Sequence, residues 1–286
     1  MTTTVDTIAE ARTILDDGRA QGRTVGLVPT MGYLHAGHRS LMERSVAGNG
    51  ITMVTLFVNP LQFAADEDLG AYPRDLGRDT EMCEAAGVDV LLTPSVEEMY
   101  PAGLPTLTTV TVAELGDSME GASRPTHFAG VATVVAKLLA IAGPCAAYFG
   151  EKDWQQLAVV RRMAGDLSFP VDVVGCATVR EPDGLALSSR NAYLTPDERA
   201  AAPVVHAALV AGADAITAGE RDPVVIRSLV AERIAAQRLA ALDYAEVVDA
   251  ETLRPVRPLV GELRLLAAAR FGRARLIDNV GAVASV

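Results

Sequence analysis

The sequence predicts an α/β fold: a doubly wound parallel sheet followed by a smaller α+β domain. Two observations carry this prediction. Over roughly the first 180 residues, short apolar runs alternate with longer amphipathic segments, as in βαβ units around a parallel sheet with helices on both faces. After Arg190 the chain turns to Ala-rich helical stretches and then to short strand candidates.

In chain order, residues 24–28 read as a strand, 38–48 as a helix and 51–58 as a second strand. A helix over 75–86 leads to a strand at 88–92, and a buried helix over 131–142 leads to a strand at 145–149. A helix over 154–167 then precedes a strand at 171–176. The later part has helices over 196–219 and 223–239, with strands at 244–248, 263–268 and around 275–278. The architecture expected is a Rossmann-like domain over 1–180 and a smaller C-terminal α+β domain over 181–286, with no long linker. Ligands of such sheets bind beyond the carboxyl ends of the strands. The residues that follow each strand are therefore the candidates for function.

Composition narrows the class. Half of the 286 residues are apolar and 21% are charged, ordinary for a globular enzyme. A net charge of −11 and the lack of any Lys/Arg cluster argue against a nucleic-acid partner. The start, Met1 to Asp6, has neither a basic end nor an apolar run, so no secretory signal is expected. The apolar stretch 131–142 is interrupted by Lys137 and is too short to span a bilayer. Cys83, Cys145 and Cys176 are scattered among apolar neighbours without CxxC spacing, which suits core residues better than a disulfide framework or a zinc site. The expectation is a reduced, cytoplasmic protein with no membrane partner.

The first strand runs out into Thr30-Met31-Gly32-Tyr33-Leu34-His35-Ala36-Gly37-His38, and a helix follows. A helix start offers unpaired backbone N–H groups and partial positive charge, which suit phosphate. His35 and His38 add donors, and Gly32 and Gly37 allow close approach. An HxxH pair by itself is equally compatible with a metal site or a helix cap, but this chain has only four histidines.

The second strand exits into Asn59-Pro60-Leu61-Gln62, where Asn59 and Gln62 are able to orient a small polar substrate or simply make an Asn-Pro turn. Strand 145–149 exits into Gly150-Glu151-Lys152-Asp153. Lys152 is able to neutralise phosphate, while Asp153 reads equally as a helix cap, with Gln156 three residues on. Ser188-Ser189-Arg190 suits a loop closing on a triphosphate or an ordinary turn. Arg124 and His127 precede a helix, where they suit an anionic ligand or a plain helix entry.

Taken together, these segments resemble the pantothenate synthetase family within the HxGH nucleotidyltransferase superfamily. The ordered blocks are Met31–His38, Phe57–Phe63, Tyr72-Pro73-Arg74, Arg124–Phe128, Gly150–Asp153, Ser188–Asn191 and Leu276-Ile277-Asp278-Asn279. HxGH alone is shared by many adenylyl and cytidylyl transferases; the ordered set is far more specific. The resemblance implies ATP- and magnesium-dependent condensation of pantoate with β-alanine through a pantoyl adenylate, in a homodimer.

It further implies that ATP is held by Thr30, Met31, Gly32, Tyr33, Leu34, His35, Ala36, Gly37 and His38. Gly150, Glu151, Lys152, Asp153, Val179, Leu187, Ser188, Ser189 and Arg190 would complete that site. His38 is implied as the catalytic proton donor. On physical grounds His35, Lys152, Ser188, Ser189 and Arg190 join it around the leaving pyrophosphate. Gln62 and Gln156 are implied for pantoate, Gln62 also facing β-alanine; Asn59, Arg124 and His127 are further substrate candidates. Asp79 is a candidate water-mediated partner of magnesium. Trp154 stands where the family usually has tyrosine and Leu187 where it usually has methionine, which bears on nucleotide packing.

Overall fold

The computed structural model describes residues 1–63, 69–70 and 72–285. Two compact units form, Met1–Glu151 with Val159–Ala177, and Lys152–Ala158 with Thr178–Val286.

The first unit holds six strands: β1 (Thr3–Val5), β2 (Val25–Thr30), β3 (Ile51–Leu56), β4 (Val90–Leu92), β5 (Cys145–Gly150) and β6 (Val171–Cys176). They form one sheet in the order β1-β4-β3-β2-β5-β6, and every neighbouring pair is parallel. Its helices are α1 (Ile8–Ala20), α2 (Ala36–Gly48), α3 (Leu76–Ala86), the short α4 (Val96–Met99) and α5 (Glu120–Ser123), and α6 (His127–Ala142). After β5, a 3-10 turn at Glu151–Asp153 leads into α7 (Trp154–Asp166). The Rossmann-like parallel sheet expected from the sequence is present.

The central strands read as near-continuous apolar runs because helices cover both faces of a parallel sheet. Val25, Leu27, Val28, Ile51, Met53 and Val54 are all buried. Winding proceeds from β2 to β3 and β4 on one side, and from β5 to β6 on the other. The switch point therefore lies between β2 and β5, and the loop leaving β2 opens at the place where such sheets take their ligands.

The second unit contains α8 (Pro196–Ala201), α9 (Val204–Thr217) and α10 (Pro223–Ala235). They are followed by an antiparallel sheet of β7 (Ala241–Asp249), β8 (Gly261–Phe271) and β9 (Ala274–Ala284), with β8 central. Leu209, Ile216, Ile226, Val230, Leu265 and Phe271 share its core. At Gly212 an added Cβ would lie 2.6 Å from Leu265 and 2.9 Å from Val230, so glycine there lets α9 lie close on β8 and α10. The run 196–217 is long and apolar enough to cross a membrane by composition. Here it is broken at Ala202-Pro203, and Val205, Leu209 and Ile216 face the unit's core.

Several boundaries differ from expectation. The single helix over 196–219 is two helices, because Pro203 lacks an N–H and clashes with the preceding turn. α10 ends at Ala235, short of 239. α6 begins at His127, four residues before the apolar run at 131. β7, β8 and β9 extend well beyond 244–248, 263–268 and 275–278, since each gains its ladder bonds from its neighbour. Nothing was expected before residue 24, yet β1 and α1 stand there. β1 is only three residues long and exists through its pairing with β4; α1 is started by Thr7, whose hydroxyl accepts from Glu10 N–H at 3.2 Å.

Candidate active site

The loop after β2 is held from beneath by Asp79. This carboxylate, buried on α3, accepts Tyr33 N–H at Oδ2 and Leu34 N–H at Oδ1, both at 2.7 Å. Thr30 Oγ1 donates to Thr55 O at 2.7 Å and accepts Gly32 N–H at 3.2 Å. Gly32 and Tyr33 both have positive φ, 86° and 51°. At Gly32 an added Cβ would lie 3.0 Å from Asp79 Oδ2, so glycine answers both the dihedral and the close approach. The Arg78 guanidinium stands 5.3 Å from the centroid of the Tyr33 ring.

His35 and His38 start α2 as a reciprocal cap. His35 Nδ1 accepts Gly37 N–H at 3.1 Å, and His38 Nδ1 accepts His35 N–H at 3.3 Å. The rings lie 4.1 Å apart, tilted by 38°. Because both Nδ1 atoms act as acceptors, a neutral ring carries its proton on Nε2. The two histidines thus take up helix-start amides expected to meet phosphate directly, and in exchange hold two Nε2–H donors in a fixed relation.

The second loop is built around Asn59, which is almost wholly buried. Its Oδ1 accepts from Tyr100 Oη at 2.8 Å and Leu61 N–H at 3.3 Å. Its Nδ2 donates to Gly130 O at 3.1 Å and Gln62 Oε1 at 3.2 Å. All four hydrogen-bonding positions of the amide are taken by protein groups, so Asn59 orients Gln62 and does not reach out to a substrate itself. Gln62 Nε2 in turn donates to Met31 Sδ at 2.8 Å. The Gln62 carbonyl lies 3.2 Å from Arg124 Nη2 and 3.0 Å from His127 Nδ1. A Cβ on Gly130 would collide with the Leu61 carbonyl, so α6 approaches this turn only through glycine.

In the second unit, Lys152 Nζ lies 3.2 Å from Asp153 Oδ1, and Gln156 is half-buried in the first turn of α7. Leu187 N–H donates to Val179 O at 3.0 Å, and Arg180 bridges Ala186. Residues 179–187 therefore form a hairpin, closed by Gly184 with φ of 92°. The hairpin delivers Ser188, whose Oγ caps the 3-10 turn Ser189–Tyr193 by accepting Arg190 N–H at 3.3 Å. Ser188, Ser189 and Arg190 are all half-buried.

Among the described residues, no group of three or more His, Cys, Asp or Glu converges on a point suited to a metal ion. Asp79, the candidate water-mediated partner of magnesium, is 2% exposed and directs both oxygens to loop amides. Its place is structural support of the loop. Burial pushes the Cys83 and Cys145 thiols up to about 12, which keeps them protonated and fits their expected role as packing residues.

Residues 3–281 match the family described as pantoate–β-alanine ligase. The chain belongs to the pantoate–β-alanine ligase family. Among its relatives, the pantothenate synthetase of Heliobacterium modesticaldum is 51% identical over 276 residues, spanning 96% of this chain and 98% of that protein. The pantothenate synthetase of Sinorhizobium medicae is 52% identical over 277 residues, spanning 96% and 94%. The crystal structure of pantothenate synthetase from Thermus thermophilus has a TM-score of 0.91 at 50% identity, with 98% and 99% of the two chains covered. A pantoate–β-alanine ligase from Francisella tularensis, complexed with β,γ-ATP and β-alanine, has a TM-score of 0.79 at 32% identity, with 98% and 97% covered.

For a ligase of this family, the first unit brings the expected residues Met31, Gln62, Arg124 and His127 into one cluster. Sequence reasoning missed Tyr100, Gly130 and the loop-holding role of Asp79. Tyr100 lies 41 positions from Asn59 with no local pattern to tie them; burial pushes its phenol up to about 12, so it remains a donor. Trp154 spends its polar edge inside the second unit, donating Nε1–H to Ala250 O at 2.9 Å.

Proposed function

We propose that the chain condenses pantoate with β-alanine at the expense of ATP, through a pantoyl adenylate. The observation that carries this reading is the Gln62–Met31 contact at 2.8 Å. It ties the loop assigned to nucleotide phosphates to the amide assigned to the acid, as an in-line attack of carboxylate on α-phosphate requires. His35 and His38 offer Nε2–H donors to the phosphates from their locked cap. Lys152, Ser188, Ser189 and Arg190, carried by the second unit, supply positive charge and donors for the leaving pyrophosphate. Gln62 and Gln156 hold pantoate, with Gln62 aimed by Asn59 and its backbone held by Arg124 and His127.

Magnesium, implied by the family resemblance, fits an ion carried on the phosphates with few protein ligands, since Asp79 is committed to the loop. When bound, it neutralises phosphate charge. Residues 181–286 are assigned the shielding of the adenylate from water. A homodimer and a cytoplasmic location belong to the same reading.

Exchange of labelled pyrophosphate into ATP tests the reaction: it should require pantoate and not β-alanine. Exchange without pantoate overturns the reading. His38→Ala and Lys152→Ala should each slow adenylation on the order of a hundredfold; near-normal rates in both remove the roles given to them.

A further inference from the structure

The block Leu276-Ile277-Asp278-Asn279 is part of the family pattern, yet none of the roles above uses it. Asp278 and Asn279 lie within β9 and are 6% and 3% exposed, unusual for an aspartate and an asparagine unless their polar atoms are engaged. Neighbouring side chains on a strand point to opposite faces, so an adjacent pair can hold two different segments at once. This pair does so within the second unit.

Asn279 holds the turn that carries Lys152. Its Nδ2 donates to the Lys152 carbonyl at 2.8 Å, and its Oδ1 accepts from Arg264 Nε at 2.7 Å. That same Arg264 guanidinium lies 3.6 Å over the Trp154 ring, so residues 152 and 154 are both tied to the antiparallel sheet.

Asp278 holds the hairpin that delivers Ser188. Arg180 meets it with two bonds, Nη1 to Oδ2 at 2.6 Å and Nη2 to Oδ1 at 2.9 Å. Arg180 Nη1 also donates across the hairpin to Gly184 O at 3.0 Å. Asp278 Oδ1 further accepts Asn279 N–H at 2.7 Å, which locks the two halves of the device together. Paired, planar geometry of this kind fixes orientation as well as position.

We propose that Asp278 and Asn279 are positioning residues that set the placement of Lys152 and of Ser188–Arg190, and through them the grip on ATP, without touching the nucleotide. The inference rests on the reading above that Lys152 and Ser188–Arg190 serve ATP. Misplacement of such groups by about 1 Å is enough to cost on the order of a hundredfold in rate.

Asn279→Asp tests one arm, keeping volume and the acceptor for Arg264 while replacing the donor to the Lys152 carbonyl by an oxygen. Asp278→Asn tests the other by removing the charge that Arg180 pairs with. Each variant should raise KM for ATP about tenfold and slow pantoate-dependent pyrophosphate exchange by at least as much. KM for β-alanine should stay within about twofold, a split that loss of folded protein does not produce. Asp278→Glu, still able to pair with Arg180, should recover most of the exchange rate.

Adding Asn279→Asp to Lys152→Ala should cost little beyond Lys152→Ala alone, because both act through one side chain. Unchanged ATP parameters in folded Asn279→Asp and Asp278→Asn overturn the proposal, as do equal losses for all substrates. If one of the two does not fold, Arg180→Lys reads the Asp278 arm and Arg264→Lys the Asn279 arm by the same criterion. Lys152→Ala alone separates the two levels: normal ATP parameters there sink the ATP reading itself, whereas weakened ATP there with a normal Asn279→Asp sinks only the positioning role.

Discussion

Replacing Asp79 by asparagine isolates what holds the loop after β2. The carboxylate accepts two backbone N–H groups, one at each oxygen, at 2.7 Å. Hydrogen bonds to a charged group contribute about 1.5–3 kcal/mol each. An asparagine retains one acceptor and turns an NH2 toward the other amide, donor against donor. The loss is then at least one such bond, roughly 1.5–3 kcal/mol, against a total stability of about 5–15 kcal/mol for a folded domain.

For a domain of this size that corresponds to a melting temperature lower by roughly 3–12 °C, read by circular dichroism. The loop would also lose its hold on Gly32 to Leu34, so KM for ATP should rise. A melting temperature within about 2 °C of the parent, with an unchanged KM for ATP, refutes the reasoning. A lower KM for ATP would also refute it, since the carboxylate would then act mainly by repelling phosphate.

Two further outcomes follow from geometry and charge. Gly130→Ala puts a Cβ against the Leu61 carbonyl and 2.6 Å from Gln62 N, backbone atoms unable to move aside. A loss of about 1–3 kcal/mol and a raised KM for pantoate are expected, and normal values for both would contradict the close approach of α6. His206 is held below its ordinary value by burial and by Arg180, with Asp278 opposing. Below about pH 6.5 the unfolded chain takes up a proton there that the folded chain resists, so stability falls as pH drops through that range. Acid unfolding of His206→Gln should be less steep there; an identical slope would remove His206 as the cause.

The sequence by itself determined the layered architecture, because burial on both faces of a parallel sheet demands largely apolar runs, as at β2, β3 and β5. It also placed the candidate residues at strand exits, since glycines, amides and histidines there break those runs visibly. It determined far less about partners. Asn59 reads as a turn residue or a ligand from its neighbours alone, and only the approach of Tyr100 and Gly130 makes it the support of Gln62. Asp79 reads as a possible metal partner until α3 sets it beneath Tyr33 and Leu34.

The three-residue β1 has no periodicity to reveal it and exists by pairing with β4. Asp278 and Asn279 were visible only as part of a pattern; their reach to Arg180, and to the carbonyl of Lys152 127 positions away, was not. The division has a physical reason. Periodicity and turn chemistry are local and written along the chain, whereas hydrogen-bond satisfaction of buried polar groups is settled between segments that meet only after the chain has folded.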